Sequence, residues 1–315
     1  MNRNFSEDEK ASIVYAIPYL DANEAATTFF NNVCQADSFD LLDEHADYFR
    51  DVALKLEPYN IEAAHCLMSI AAEIRPSGGF IKGKLSNYNA WLDIYHKGYC
   101  YIGGKEIFFP PKPPYELLMS FVRGYYEREE VKLLENALED GDVVLEVGAG
   151  IGFMGVNASK MKRLSRYVAY EANPQLIPYI KKNMVQNEVS FEVVNAILFD
   201  QETSCKFYVA PDFWVSSLIQ PNTNNYEVID VRAVNKNAVI SEISPSLLIV
   251  DIEGGEIDFF KDLDLSSVKK ILLEIHPFVL SNRDLTKLYY DFFEYGFEID
   301  FMSSFKNVVL FNKVL

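Results

Sequence analysis

From residue 142 onward the chain repeats one pattern. A short apolar run that reads as a buried strand is followed by apolar residues at three- and four-residue spacing that read as a helix. DVVLEV, YVAYE, FEVVNA, SLLIVDI and KKILLEI are the strands. GFMGVNASKMKR, PQLIPYIKKNMVQN, a short segment from Glu256 to Leu263 and the segment Asp284 to Tyr295 are the helices. This alternation demands a mostly parallel sheet with helices on both faces, because a parallel return needs a crossover long enough to hold a helix. The last segment, FEIDFMSSFKNVVLFNK, gives two strands joined by a short turn, which can only be antiparallel to each other. The stretch between FEVVNA and SLLIVDI reads as irregular.

The first strand runs into LEVGAGIGFMG, a glycine turn legible in two frames. Glu146, Gly148, Gly150 and Gly152 form Glu-x-Gly-x-Gly-x-Gly, a pattern suited to S-adenosylmethionine. Gly150, Gly152 and Gly155 form the dinucleotide pattern, and Glu171 lies 21 positions after Gly150, near the spacing of a ribose-binding acid. Either ligand would use the same physics, bare backbone N–H groups and the positive end of a helix brought close by residues without a Cβ. Strand apolarity stops at Val147, so the turn begins at Gly148, two residues ahead of the dinucleotide frame. That position favours the Glu146 frame.

Upstream, residues 1–97 read as helices broken at Pro58 and Asn60, a small N-terminal domain. DYFRDVALKLEPYNIEAAHCLMSI resembles a single tetratricopeptide helix junction, and such repeats need neighbours to bury a continuous core. Residues 98–114 read as a hairpin around Gly103-Gly104 followed by a proline-rich linker, and 115–315 as the catalytic domain. A net charge of −17 opposes binding to nucleic acid or an anionic membrane. The acidic, non-apolar start and the absence of a long apolar run point to a cytoplasmic protein without a membrane span. Cys34, Cys66, Cys100 and Cys205 lack metal-site spacing and read as free thiols.

The segments DVVLEVGAGIGF, YEANPQLIPYIKKNMVQN, FEVVNAIL, WVSSL, LLIVDIEGGEIDFF and ILLEIHP follow one another in the order of the FkbM family of S-adenosylmethionine-dependent O-methyltransferases. The resemblance covers residues 115–315, and Asp-x-Glu-Gly-x-Glu at 251–256 followed by Leu-x-Glu-x-His-Pro is its most distinctive part. Glu146 stands where the family commonly has Asp, and Gly150 where it often has Asn. The resemblance implies a class I methyltransferase fold, Rossmann-like, with a seven-stranded, mostly parallel sheet and an antiparallel C-terminal hairpin.

The cofactor it implies is S-adenosylmethionine. Gly148, Gly150 and Gly152 would wall its methionine part, Glu146 would orient the turn and the amino group, and Glu171 would accept the ribose hydroxyls. Asn173, Asn195 and Ala196 would border the adenine, although Asn173 before Pro174 is also suited to cap a helix. Asp251, Glu253 and His276 gather at the heads of two strands and form the catalytic set. There His276 would take a proton from a hydroxyl, and Glu256 joins a cluster able to hold a divalent ion. The alternative for the same residues is structural: Glu253 and Glu256 capping the next helix, His276 hydrogen-bonded before Pro277.

Trp214 with the hydroxyls of WVSSL suits a wall for a sugar ring or a packed loop. Tyr125, Tyr126 and Glu127 suit a lid or a packing helix. The function implied is methylation of a hydroxyl on a sugar of a cell-surface glycan or on a natural product. Two other classes stand beside it: a non-catalytic interaction module and a dinucleotide-dependent oxidoreductase. The N-terminal helices would serve a protein partner, a homo-oligomer contact or the acceptor entrance.

Overall fold

The computed structural model describes residues 43–210, Ser216, Leu218 and residues 226–314. The chain divides into two compact units. One takes the residues up to Gly98 together with Pro111–Val122, and the other takes Tyr99–Pro110 with Arg123–Leu315.

The described part of the first unit holds α1 (Asp43–Leu56), α2 (Ile61–Ile74), α3 (Gly79–Lys97) and most of α4 (Tyr115–Arg123). The expected break at Pro58-Asn60 is present: Asn60 caps α2, its side chain accepting the Ala63 N–H at 2.9 Å. Phe49, Val52, Leu56, Leu67, Met68 and Tyr88 are buried in its core. One carboxylate is buried there too, and it is fully answered. Glu57 accepts from the Tyr88 hydroxyl at 2.6 Å and from the Tyr115 hydroxyl, and pairs with Lys84 at 2.6 Å.

The second unit starts with the expected hairpin, β1 (Tyr99–Ile102) and β2 (Lys105–Phe108), paired antiparallel around Gly103 and Gly104, both at positive φ. The boundary drawn from sequence changes here. The hairpin groups with the sheet unit, whereas residues 111–122 group with the helices, so the chain passes between the units three times. Two asparagines of α7 (Ile177–Gln186) and its cap supply the reason. Asn183 accepts the Phe108 N–H at 2.6 Å and donates to the Phe108 carbonyl at 2.9 Å, and Asn187 donates to the Glu106 carbonyl at 2.8 Å.

The main sheet joins β3 (Val143–Val147), β4 (Arg166–Glu171), β5 (Glu192–Asn195), β9 (Leu247–Val250), β10 (Lys270–Glu274), β11 (Phe297–Ile299) and β12 (Val308–Lys313) in the order β11-β12-β10-β9-β3-β4-β5. β12 enters between β11 and β10, antiparallel to both, and the other neighbouring pairs are parallel. Period-two alternation divides the side chains between two cores. Val144, Ala169, Ile249 and Leu272 pack with Leu134 of α5 (Arg128–Ala137), Ala158 of α6 (Phe153–Met161) and Ile180 of α7. Leu145, Val168, Val250 and Leu273 pack on the other face, with Ile240 of α8 (Lys236–Ile243), Phe260 of α9 (Glu256–Phe260) and Phe292 of α10 (Asn282–Glu294). This is the class I methyltransferase fold.

The stretch read as irregular contains a second sheet and a helix. β6 (Ile197–Phe199), β8 (Glu227–Asn235) and β7 (Thr203–Val209) pair in the order β6-β8-β7, and α8 follows β8 directly. Charged residues along β7 and β8, such as Lys206 opposite Asp230, break up the apolar runs by which strands are recognised. Trp214, Val215 and Ser217 of the proposed acceptor wall lie outside the described residues. Ser216 accepts the Ala210 N–H at 3.1 Å, and Leu218 packs against the core of this second sheet.

Candidate active site

The glycine turn is a cradle that a Cβ would fill. Gly148, Gly150 and Gly152 have φ of +90°, +52° and +77°, conformations costly for other residues. A Cβ on Gly148 would overlap the Asp251 carbonyl oxygen, and one on Gly152 would lie 2.8 Å from Ile180. Gly152 precedes α6 and offers no side-chain cap, so the first N–H groups of that helix have no partner from this residue's side chain. Gly155, which completes the dinucleotide frame, is needed for another reason. Its Cβ would meet the Phe191 ring at 2.5 Å, so this glycine lets helix α6 lie close to Phe191 at the start of β5. The second frame is therefore explained by packing.

The polar residues assigned to the cofactor surround this turn. Glu171, 6% exposed, accepts the Gly150 N–H and the Asn173 N–H, both at 2.7 Å, fastening the turn to the head of β4. Burial pushes its carboxyl up to about 7, against the pull of these N–H groups. Glu146 is buried in β3 and accepts from the Tyr167 hydroxyl at 2.9 Å, and burial pushes it up to about 8. This contact gives Glu146 a supporting place in the strand that leads into the turn. Asn173 accepts the Gln175 N–H at 3.0 Å, turning the chain toward α7. Asn195 donates to the Glu171 and Ala172 carbonyls at 2.8 and 3.0 Å, and Ala196 is buried beside it. These contacts hold the heads of β4 and β5 together.

On the other side of the turn, β9 and β10 deliver the acid and histidine cluster. Asp251 follows β9, and the chain then turns through Glu253 (φ +51°) and Gly254 (φ +96°) into α9, whose first residue is Glu256. His276 follows β10. Its Nδ1–H donates to Glu256 Oε1 at 2.5 Å, and its Nε2 lies 3.3 Å from Glu253 Oε2 and 3.6 Å from Asp251 Oδ1. Glu256 has no exposed surface and also accepts the Gly254 N–H at 3.2 Å.

The electrostatics revise one sequence expectation. Burial alone would lower the His276 pKa, but the bonds to Glu253 and Glu256 and the charge of Asp251 override it and raise the group to about 11. An imidazole that holds its proton at neutral pH does not take one from a hydroxyl. In its protonated form His276 draws Asp251, Glu253 and Glu256 together around one ring. Asp251 is raised well above the usual carboxylate range by burial and by Glu274 and Glu253.

Four further residues stand near the turn and the cluster: Glu274 and Glu130, for which the sequence indicates no site role, and Tyr126 and Glu127, which read as a lid or a packing helix. Glu274, the glutamate of ILLEIHP, accepts from Asn307 at 2.7 Å and is pushed up to about 7 by burial and by Glu130. Glu127 is raised well above its usual value by enclosure and by Glu130 and Glu146. Glu130 itself is raised, chiefly by burial. Tyr126 is buried, stacks edge-on to Phe153 with centroids 5.5 Å apart, and brings its hydroxyl to 3.6 Å from where a Gly150 Cβ would stand. The lid reading of Tyr126 and Glu127 placed them near this turn. Glu130 has no sequence signal beyond its helix.

No described helix is long and apolar enough to cross a membrane. No curated protein matches the chain. Among solved structures, it is similar to a Pyrococcus furiosus methyltransferase (16% identity, 73% of this chain and 100% of that one, TM-score 0.39). It is also similar to a Geobacter metallireducens precorrin-6y C5,15-methyltransferase (17%, 59% and 89%, TM-score 0.37) and a Lactobacillus delbrueckii ribosomal protein L11 methylase (14%, 61% and 81%, TM-score 0.37). Residues 146–306, half of the chain, match the methyltransferase FkbM domain, which spans the glycine turn, Asp251 and His276. The chain belongs to the FkbM methyltransferase family, and its cofactor is S-adenosylmethionine.

Proposed function

We propose that this methyltransferase acts on a hydroxyl of a neutral, polyhydroxylated acceptor, a sugar of a cell-surface glycan or of a natural product. The observation that carries this reading is the carboxylate-lined head of β9 and β10, backbone to backbone with the glycine turn at Gly148 and Asp251. Carboxylates accept hydrogen bonds from hydroxyls and repel phosphorylated or carboxylated acceptors. Phe278, fully exposed two residues after His276, offers a flat apolar surface for a sugar ring.

When bound, S-adenosylmethionine supplies an electrophilic methyl group on a cationic sulfur. Transfer of that methyl to the acceptor oxygen would release the neutral thioether, with the former carbon–sulfur electron pair on sulfur, and would leave the hydroxyl proton for the protein to take up. The residues here perform alignment and proton uptake. The N–H groups of the glycine turn and Glu171 hold the donor, Asp251 orients the acceptor hydroxyl, and the proton passes to the Asp251–Glu253 pair. His276 keeps these carboxylates together. Burial and the neighbouring Glu274 and Glu253 raise Asp251 well above the usual carboxylate range, which increases its affinity for a proton.

The test is product identity. Incubation with S-adenosylmethionine and a panel of neutral sugars, free and glycan-linked, is expected to give a methyl ether detected by mass spectrometry and NMR. Methylation of amines or carboxylates, with sugars untouched, would overturn the reading.

A further inference from the structure

We propose that Asp251, Glu274 and His276 form a divalent-cation site. Each offers one ligand atom, and these atoms all lie within 4.8 Å of one another, so that small side-chain rotations would bring all three to about 2.1 to 2.3 Å from one ion. Observations beyond the gathering of acids point the same way. Asp251 Oδ1 is buried without a hydrogen-bond partner, although it stands 3.6 Å from His276 Nε2. A buried oxygen left in this state is costly, and a cation satisfies it.

The imidazole is also mounted as metal-binding histidines are. Glu256 Oε1 holds Nδ1 at 2.5 Å and is itself held by the Gly254 N–H. This fixes the ring and leaves Nε2 facing Asp251 and Glu253. Asn307 steadies Glu274 in the same way at 2.7 Å. One imidazole with two carboxylates suits Mn2+ or Zn2+ better than Mg2+ or Ca2+, which favour all-oxygen sets. The ion would occupy the place of the Nε2 proton.

The site's use rests on the reading above, but the binding itself does not. An acceptor hydroxyl drawn to the ion becomes more acidic, and Glu253, outside the trio, is left to take its proton.

Binding is read with metal alone on the full chain, without cofactor or acceptor. Titration with Mn2+, followed by loss of the free-ion electron paramagnetic resonance signal, is expected to show one ion per chain, displaced by Zn2+. Glu274→Gln and His276→Gln should each abolish it, and Glu256→Gln should weaken it by about 10- to 100-fold. S-adenosylhomocysteine binding by the same variants in metal-free buffer reports that they are folded, and Asp251→Asn substitutes for any variant that is not. Failure to bind Mn2+ or Zn2+, or binding that survives both Glu274→Gln and His276→Gln, overturns the proposal. Neither result depends on which acceptor is methylated.

Discussion

Gly148 and Asp251 meet backbone to backbone across the heads of β3 and β9: the space that a Cβ on Gly148 would fill already holds the Asp251 carbonyl oxygen. One contact therefore couples the cofactor turn to the first residue of the acid cluster. Gly148→Ala would combine this overlap with a φ of +90°, and we expect it to cost about 3 kcal/mol or more and to abolish S-adenosylhomocysteine binding. Gly83→Ala, on the exposed side of α3 with open space around it, is the control and should stabilise by about 1 kcal/mol. Denaturant unfolding and calorimetry check both. A Gly148→Ala protein that binds the ligand normally would refute the coupling.

Asn183 should rank among the most sensitive polar residues of the sheet unit. It is wholly buried and satisfies the Phe108 N–H and carbonyl together with the Ile151 carbonyl at 2.9 Å. Asn183→Ala leaves all three backbone groups without this partner, for a loss of about 3 kcal/mol. A shift of the urea midpoint measures it, and a loss below about 1 kcal/mol would contradict these bonds.

Stability of the ligand-free protein should fall as pH rises. Glu171 and Glu146 hold their protons up to about 7 and about 8 in the fold, whereas the unfolded chain releases them near 4.5. Between those values the folded state binds more protons, so each upward step in pH favours unfolding. His276 acts with the same sign, its contribution complete below 6.5 and lost toward about 11. The melting temperature should be higher at about pH 5 than at about pH 8, by on the order of 5 °C. A rise over that interval would show that these groups are not protonated in the fold.

The catalytic part of the fold was legible because it obeys local rules. Apolar strands end where glycines begin, so Gly148 and Asp251 could be placed at one sheet edge from their positions in the chain. Chemistry that depends on distant neighbours was not legible. That His276 keeps its proton follows from Asp251, Glu253 and Glu256 converging on one ring, which residue types alone do not show. The allegiance of the hairpin depends on Asn183, 75 residues from Phe108. Strands β7 and β8 went unseen because a sheet in which Lys206 faces Asp230 lacks the apolar run by which strands are recognised.

Removal of the cluster's cation should separate chemistry from cofactor binding. His276→Asn leaves Asp251, Glu253 and Glu256 without the ring that joins them, and turnover should drop by at least about 100-fold. Affinity for S-adenosylhomocysteine should change little. In the wild type, the rate should show no ionisation near 6.5 attributable to this ring.

The measurement that tests the central claim most directly is methyl transfer by Asp251→Asn, with S-adenosylhomocysteine affinity determined on the same preparation. The account predicts that the ligand still binds, because the glycine turn and Glu171 are intact, and that transfer to a sugar hydroxyl falls by at least about 100-fold. An Asp251→Asn enzyme that methylates as fast as the wild type would contradict the placement of the acceptor at the head of β9.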